Sequence, residues 1–183
     1  MGHDLVDCAK HGDKEAFTAL IVPLSDRLYG VAYRILRDAD RAEDAVQQTL
    51  MTAWRELPTL REDDRFDAWL RRILVHACYA EARRRRSWSA NIRVLPTDWP
   101  AGRDVTADIV ERDLLERAFR RISPEQRAIF VLHHYVGLTL PEVADELGVP
   151  LGTVKSRLYY ATQALRAALD ADARTATSTE RLA

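Results

Sequence analysis

The stretch PEVADELGVPLGTVKSRLYY, residues 141–160, decides how the chain is read. Thr139 and Glu142 stand three apart, the spacing of a capping box, and open a short helix ending at Leu147. Gly148 supplies a left-handed stop, and a second helix starts near Leu151 and runs to about Leu169. Val143, Ala144 and Leu147 share one face of the first helix, and Val154, Leu158, Ala161 and Leu165 share one face of the second. A small residue at Ala144 lets the two helices approach closely. Thr153, Lys155, Ser156, Arg157, Tyr159 and Tyr160 are then left on or near the outward side. One reading is a plain helical hairpin with a solvated basic face. The other is a helix-turn-helix, whose second helix brings its positive N-terminus and basic side chains to duplex DNA. Charge alone does not separate them. The cap, the turn glycine, small Ala144 and the basic second helix together favour the DNA reader.

Working outward, the chain remains helical. Ser123-Pro124-Glu125-Gln126 places a cap, a proline at the first helical position and a capping-box glutamine. Leu114, Leu115, Ala118, Phe119 and Ile122 form an apolar stripe ahead of it. Residues 87–112 carry Pro96, Pro100 and Gly102 without sustained periodicity and read as a linker. Residues 113–170 then form one small domain, and residues 171–183 a polar, frayed tail. Residues 1–86 form the other domain. A short helix over residues 4–10 is followed by a segment from Lys14 to Arg37, which Pro23 should kink or split at Val22. Over residues 40–57, Ala42, Val46, Thr49, Leu50, Ala53, Trp54 and Leu57 mark one buried stripe. After a loop at residues 58–65, Phe66, Trp69, Leu70, Ile73, Ala77 and Cys78 mark another, on a helix expected to reach about Arg86. The fold class is all-α: two small helical domains joined by a linker.

Bulk properties exclude several function classes. No apolar run approaches the roughly 20 residues of a membrane span, and the polar, acidic N-terminus does not resemble a secretory leader. A cytoplasmic protein without membrane insertion is expected. Cys8 and Cys78 form no CxxC, and Cys8 with His11 offers too few ligands for zinc, so neither metal nor cofactor is expected. No P-loop, HExxH or GxSxG is present, which argues against an enzyme. The net charge of −1 makes the chain no bulk polycation. Any nucleic-acid affinity must come from local clusters.

Such clusters exist. Arg72, His76, Tyr79, Arg83 and Arg86 follow each other at steps of four, three, four and three, one stripe of a helix. Arginine with an aromatic suits a single strand, whose phosphates it neutralises and whose bases it stacks. A solvated amphipathic helix explains the same pattern equally well. On the helix of residues 40–57, Asp44, Gln47 and Gln48 face outward, which fits either a protein contact or plain solvation.

Three stretches, in order, resemble a known family. RAEDAVQQTLMTAW, FDAWLRRILVHACYAEARRRR and ISPEQRAIFVLHHYVGLTLPEVADELGVPLGTVKSRLYYATQAL are similar to bacterial sigma factors of the extracytoplasmic-function (ECF) type. The resemblance implies a promoter-specificity subunit of RNA polymerase with no catalysis of its own. It places Asp44, Gln47 and Gln48 against the clamp helices of the largest polymerase subunit, with the flap as a further contact. It gives the stripe Arg72, His76, Tyr79, Arg83 and Arg86, with the loop 58–65, to the melted strand of the minus-ten element. The helix from Leu151 would read the minus-thirty-five element of promoter DNA, and an anti-sigma factor is a further candidate partner. The chain departs from the family pattern at His76, Ala80, Pro23 and the run His133-His134-Tyr135. The alternative function is a stand-alone helix-turn-helix regulator.

Overall fold

In the computed structural model, backbone is described for residues 2–91 and 118–180, and side chains for residues 4–84 and 118–170. Among the described residues there are helices and turns and no strand. Helix α1 (Gly2–Lys10) turns at Gly12, which takes φ +95°, into α2 (Lys14–Ile21). Asp13 caps α2 by accepting from the backbone N–H of Glu15 and Ala16. Pro23 acts as expected: it splits the segment, leaving a 3-10 turn (Val22–Leu24) before α3 (Ser25–Leu36). Asp38 caps α4 (Ala39–Glu56) through the Arg41 N–H. Along α4, Ala42, Ala45, Thr49 and Ala53 are buried, and the Thr49 hydroxyl is satisfied by the Ala45 carbonyl at 2.6 Å. The expected stripe is present, with Ala45 added to it.

Two 3-10 turns, Leu57–Thr59 and Asp63–Arg65, lead into α5 (Phe66–Asn91). Lys10 pairs with Asp63, tying α1 to the second of these turns. Phe66, Leu70, Leu74, Val75, Ala77 and Cys78 form the buried face of α5. Cys78 is a packing residue, its thiol pushed up to about 12 by burial first and the Glu81 carboxylate second. Helix α5 continues five residues past Arg86, so residues 87–91 are helix and not linker. The remainder of the expected linker, and Leu114 and Leu115 beyond it, lie outside the described residues.

The C-terminal helices follow the sequence closely. Helix α6 (Pro124–His134) carries the full capping box, with Ser123 and Gln126 each bonding the other's backbone. Thr139 and Glu142 do the same for α7 (Leu140–Leu147), which Gly148 closes at φ +64°. Helix α8 (Leu151–Glu180) runs to Glu180, so the backbone beyond residue 170 is helical where a frayed tail was expected. Val143, Leu147, Val154, Ala161 and Leu165 are buried as their spacing requires.

The two units are not separate bodies. One apolar cluster joins Val31, Leu70 and Leu74 of the N-terminal helices to Ile129, Leu132, Val143 and Val154 of the C-terminal ones. A second, smaller cluster of Ala118, Phe119, Ile122, Ala161, Leu165 and Ala168 holds the helical residues 118–120 against α8. Because the larger cluster crosses the seam, the units should unfold together. Leu132→Ala, at a position with no exposed surface, is expected to cost about 2–5 kcal/mol. Urea unfolding followed by tryptophan fluorescence, to which residues 113–183 contribute no tryptophan, and by far-UV dichroism should give one coincident transition. Two resolved transitions would contradict the shared core.

Candidate nucleic-acid interface

The second helix of the helix-turn-helix presents its polar face to solvent. Lys155, Ser156, Tyr159 and Tyr160 are exposed, the two tyrosines at 60% and 62% and in edge-to-face contact. Thr153 is half-buried in the first turn of α8, its backbone N–H bonded to the Pro150 carbonyl. The Ser156 hydroxyl donates to the Thr153 carbonyl at 3.1 Å. Arg157 is half-buried and close enough to Tyr79 for its charge to act on that phenol. Four of the six residues therefore share a free surface, Thr153 is half-buried beside them, and Arg157 sits at the edge of the seam.

The stripe on α5 has a different setting. Arg72, His76 and Arg83 are exposed, whereas Tyr79 is half-buried with its hydroxyl wholly covered. Burial, followed by the nearby Glu125 carboxylate, raises the Tyr79 pKa well above the phenol range, while Arg157 pulls the other way. Glu125 and Arg157 both belong to the C-terminal unit, so that unit covers the residue expected to stack on an unpaired base. The expectation of an open Tyr79 is corrected: its ring faces a protein neighbour. His76 meets Tyr79 edge-on, with ring centroids 6.2 Å apart. Desolvation, then Arg72 and Arg83, lower its pKa, which keeps the imidazole neutral at pH 7. The Arg86 side chain lies outside the described residues.

What holds the cover in place is a set of ion pairs that the sequence did not single out. The Arg71 guanidinium grips Glu146 with two bonds, Nε to Oε1 at 3.0 Å and Nη2 to Oε2 at 2.9 Å. Both side chains are largely buried, at 14% and 5% exposure. Beside this pair, Arg65 Nη2 reaches Asp145 Oδ2 at 2.5 Å across an exposed rim. At the other end of the seam the Tyr135 ring lies under the Arg34 guanidinium, 3.8 Å from its carbon to the ring centroid. Gly30 makes this possible, because a Cβ there would stand 3.0 Å from the Tyr135 hydroxyl. A sequence signal for the first two pairs existed. Asp145 and Glu146 occupy the last turn of α7, where the negative end of the helix dipole disfavours acids, so cationic partners are required. Leu60, Arg61, Trp69 and Arg72 form one wall of a cavity of about 240 Å³, with Asp145 and Glu146 opposite. The loop 58–65 and the start of the basic stripe thus share one cleft.

On α4, Asp44, Gln47 and Gln48 are exposed together with Met51, which is 62% exposed. Gln48 bonds Thr52 at 3.2 Å, one turn on. Here an apolar side chain joins a polar face in the open, a feature the sequence reading passed over.

A two-unit helical protein with a surface helix-turn-helix behind a basic, arginine-rich helix has the architecture of a DNA-binding protein. Sequence patterns narrow it further. Residues 20–88 match Sigma-70 region 2, and residues 112–165 match Sigma-70 region 4. The chain is 33% identical over 165 residues to ECF RNA polymerase sigma factor SigL of Mycobacterium tuberculosis, covering 86% of this chain and 93% of that one. It is 28% identical over 177 residues to the RNA polymerase sigma-H factor of Pseudomonas aeruginosa, covering 90% and 92%. Among solved structures, it resembles the sigma factor RpoE bound to the anti-sigma factor NepR from Bartonella quintana, with TM-score 0.69, 25% identity, and coverage of 86% and 99%. It also resembles CnrH in complex with the cytosolic domain of CnrY, with TM-score 0.68, 26% identity, and coverage of 93% and 98%. The chain belongs to the ECF RNA polymerase sigma factors, which are transcription initiation factors. The match to region 2 ahead of the helix-turn-helix does not favour a stand-alone regulator. No described helix is long and apolar enough to cross a membrane.

The seam gives a graded prediction. Glu146→Ala strands the buried Arg71 charge and is expected to cost about 3–5 kcal/mol in urea unfolding. Arg65→Ala breaks only solvent-exposed pairs, with Asp145 and Glu62, and should cost far less. Similar losses for the two variants would show that the buried pair is not the stronger one.

Proposed function

We propose that this chain is an alternative sigma factor that brings core RNA polymerase to particular promoters by gripping them at two points. The observation that carries the reading is the ordered pair of sigma regions, the second ending in an exposed recognition helix. In this reading α8 enters the major groove of the upstream element. Lys155 and Arg157 take phosphates or guanine edges, Thr153 and Ser156 make short adaptable bonds, and Tyr159 and Tyr160 pack against the backbone or a thymine methyl. Asp44, Gln47 and Gln48, with Met51 beside them, dock on the clamp helices of the largest polymerase subunit, and the C-terminal unit meets the flap. Arg72, His76, Tyr79, Arg83 and Arg86 hold the melted strand. The chain contributes no covalent chemistry and works in the cytoplasm. An anti-sigma factor is an expected partner, since RpoE and CnrH are captured in complex with NepR and CnrY.

The covered state of Tyr79 adds a step to this mechanism. Strand capture needs α6 and the start of α8 to leave α5, breaking the Arg71–Glu146 and Arg65–Asp145 pairs. Those arginines then become available to the phosphates of the strand, so DNA replaces the carboxylates it displaces. Binding to polymerase supplies the free energy by favouring the parted arrangement.

Run-off transcription with purified core polymerase tests the function: promoter-dependent transcripts are expected only when this chain is added, and failure on every genomic promoter would overturn it. Arg157→Ala should weaken binding of the holoenzyme to promoter duplex by about 1–3 kcal/mol if the guanidinium reads a base. An unchanged sequence preference would remove that role. Tyr79→Ala should leave polymerase binding intact and reduce permanganate reactivity of thymines in the minus-ten region. Normal reactivity would rule out stacking by Tyr79.

A further inference from the structure

The loop 58–65 is anchored unevenly. Its first half is held by apolar packing: Leu57 and Leu60 are buried, and the Leu60 N–H closes a turn on the Leu57 carbonyl at 3.0 Å. Residues 61–65 are all charged, Arg-Glu-Asp-Asp-Arg, and bring no apolar side chain to the core. Apolar burial therefore cannot fix this half, and its position falls to charge. Arg65 with Asp145 ties it to α7, and Asp63 with Lys10 ties it to α1. The first tie crosses the seam and is lost when the units part. The second lies wholly inside the N-terminal unit and survives the parting.

Lys10 has a fixed base from which to reach. Val6 and Ala9, both 3% exposed, seat α1 in the core. Past Lys10 the chain turns at once, the Gly12 N–H bonding the Ala9 carbonyl at 3.0 Å and the Asp13 N–H the Cys8 carbonyl at 3.2 Å. A lysine in the last turn of a helix ordinarily serves the dipole from solvent. Here the side chain turns inward instead, 17% exposed, onto a carboxylate that is 10% exposed. A pair so far withdrawn from water adds little stability over an apolar contact, but it is strict about where its partners stand. Position matters at this point of the loop. Arg61 and Arg65, two residues before and two after Asp63, share a cleft with Trp69 and Arg72 of α5. Once the C-terminal unit leaves, Asp145 and Glu146 no longer wall that cleft, and it opens onto the start of the basic stripe.

We propose that Lys10 is a positioning residue for promoter selection: through Asp63 it sets where the loop stands, and so which bases of the melted strand the cleft accepts. Lys10 precedes the residues that match Sigma-70 region 2, which begin at 20. Helix α1 thus extends the strand-reading apparatus beyond that region. The proposal rests on the promoter reading above and adds that minus-ten base preference depends on a side chain acting only through another.

Amide hydrogen exchange on the full chain tests the contact, and transcription from promoters randomised in both elements tests its consequence. Lys10→Met keeps the aliphatic stem and removes the charge. It should speed exchange at residues 61–65 but not within α4. Discrimination among minus-ten bases should fall by about fivefold, the smaller end of what one wrong base costs. Preference at the minus-thirty-five element, read by α8, should stay as it is. Lys10→Arg should restore both the exchange and the preference. Combining Lys10→Met with Asp63→Asn guards against a folding failure, since no charge is then stranded; this variant should fold and still show relaxed preference. Unchanged exchange in the loop, or fewer transcripts with intact base preference, would mark a purely structural role and overturn the proposal. So would normal base preference in the double variant. No promoter-dependent transcript from the unaltered chain would instead overturn the promoter reading, and this proposal with it, whatever the exchange shows.

Discussion

The closed form depends on one buried ion pair, Arg71 with Glu146. Two charges withdrawn from water carry a desolvation penalty that only good geometry and full hydrogen bonding can offset. The bidentate contact supplies both, with bonds of 3.0 Å and 2.9 Å. Such a pair adds little net stability over an apolar contact, but it is selective about position. A slip of one residue along α5 or α7 would leave two uncompensated charges in the core. The pair therefore fixes how the C-terminal unit sits on the N-terminal one, and the apolar cluster around it supplies most of the cohesion.

That register accounts for the other seam contacts. With Glu146 seated on Arg71, Asp145 meets Arg65 and Gly148 passes close to Arg72, whose Nη2 would stand 3.4 Å from a Cβ at that glycine. At the far end Tyr135 reaches the gap left by Gly30. Tyr135 is part of the run that departs from the family pattern, and its contact with Arg34 gives that departure a physical role in this chain. Arg65 and Arg71 meet the C-terminal unit through charge. The seam should accordingly respond to salt and to anions more than a purely apolar contact would.

The sequence disclosed what is local. Caps at Ser123 and Thr139, the stop at Gly148 and the break at Pro23 each depend on residues within a few positions, and each is legible. The exposed face of α8 was legible for the same reason, since helical periodicity alone separates Val154 and Ala161 from Lys155 and Tyr159. The seam was not legible, because its partners lie 75 and 80 residues apart and periodicity says nothing about which surfaces meet. Tyr79 shows the limit most clearly. Its position along α5 follows from helical spacing, but its burial depends on the unit that carries Glu125 and Arg157, which no pattern along α5 can disclose. The two acids ending α7 were the available clue, an electrostatic misfit that a partner had to answer.

The cover is also one-sided. Closing hides the Tyr79 ring and engages Arg65 and Arg71, yet Lys155, Tyr159 and Tyr160 remain in solvent on the outer face of α8. Under the proposed two-point grip, a closed molecule would still offer these side chains to duplex phosphates while its strand-holding face is covered. Searching and melting become separable in time. In the proposed mechanism the free chain would meet duplex without opening it, and the capacity to hold separated strands would arrive with the polymerase.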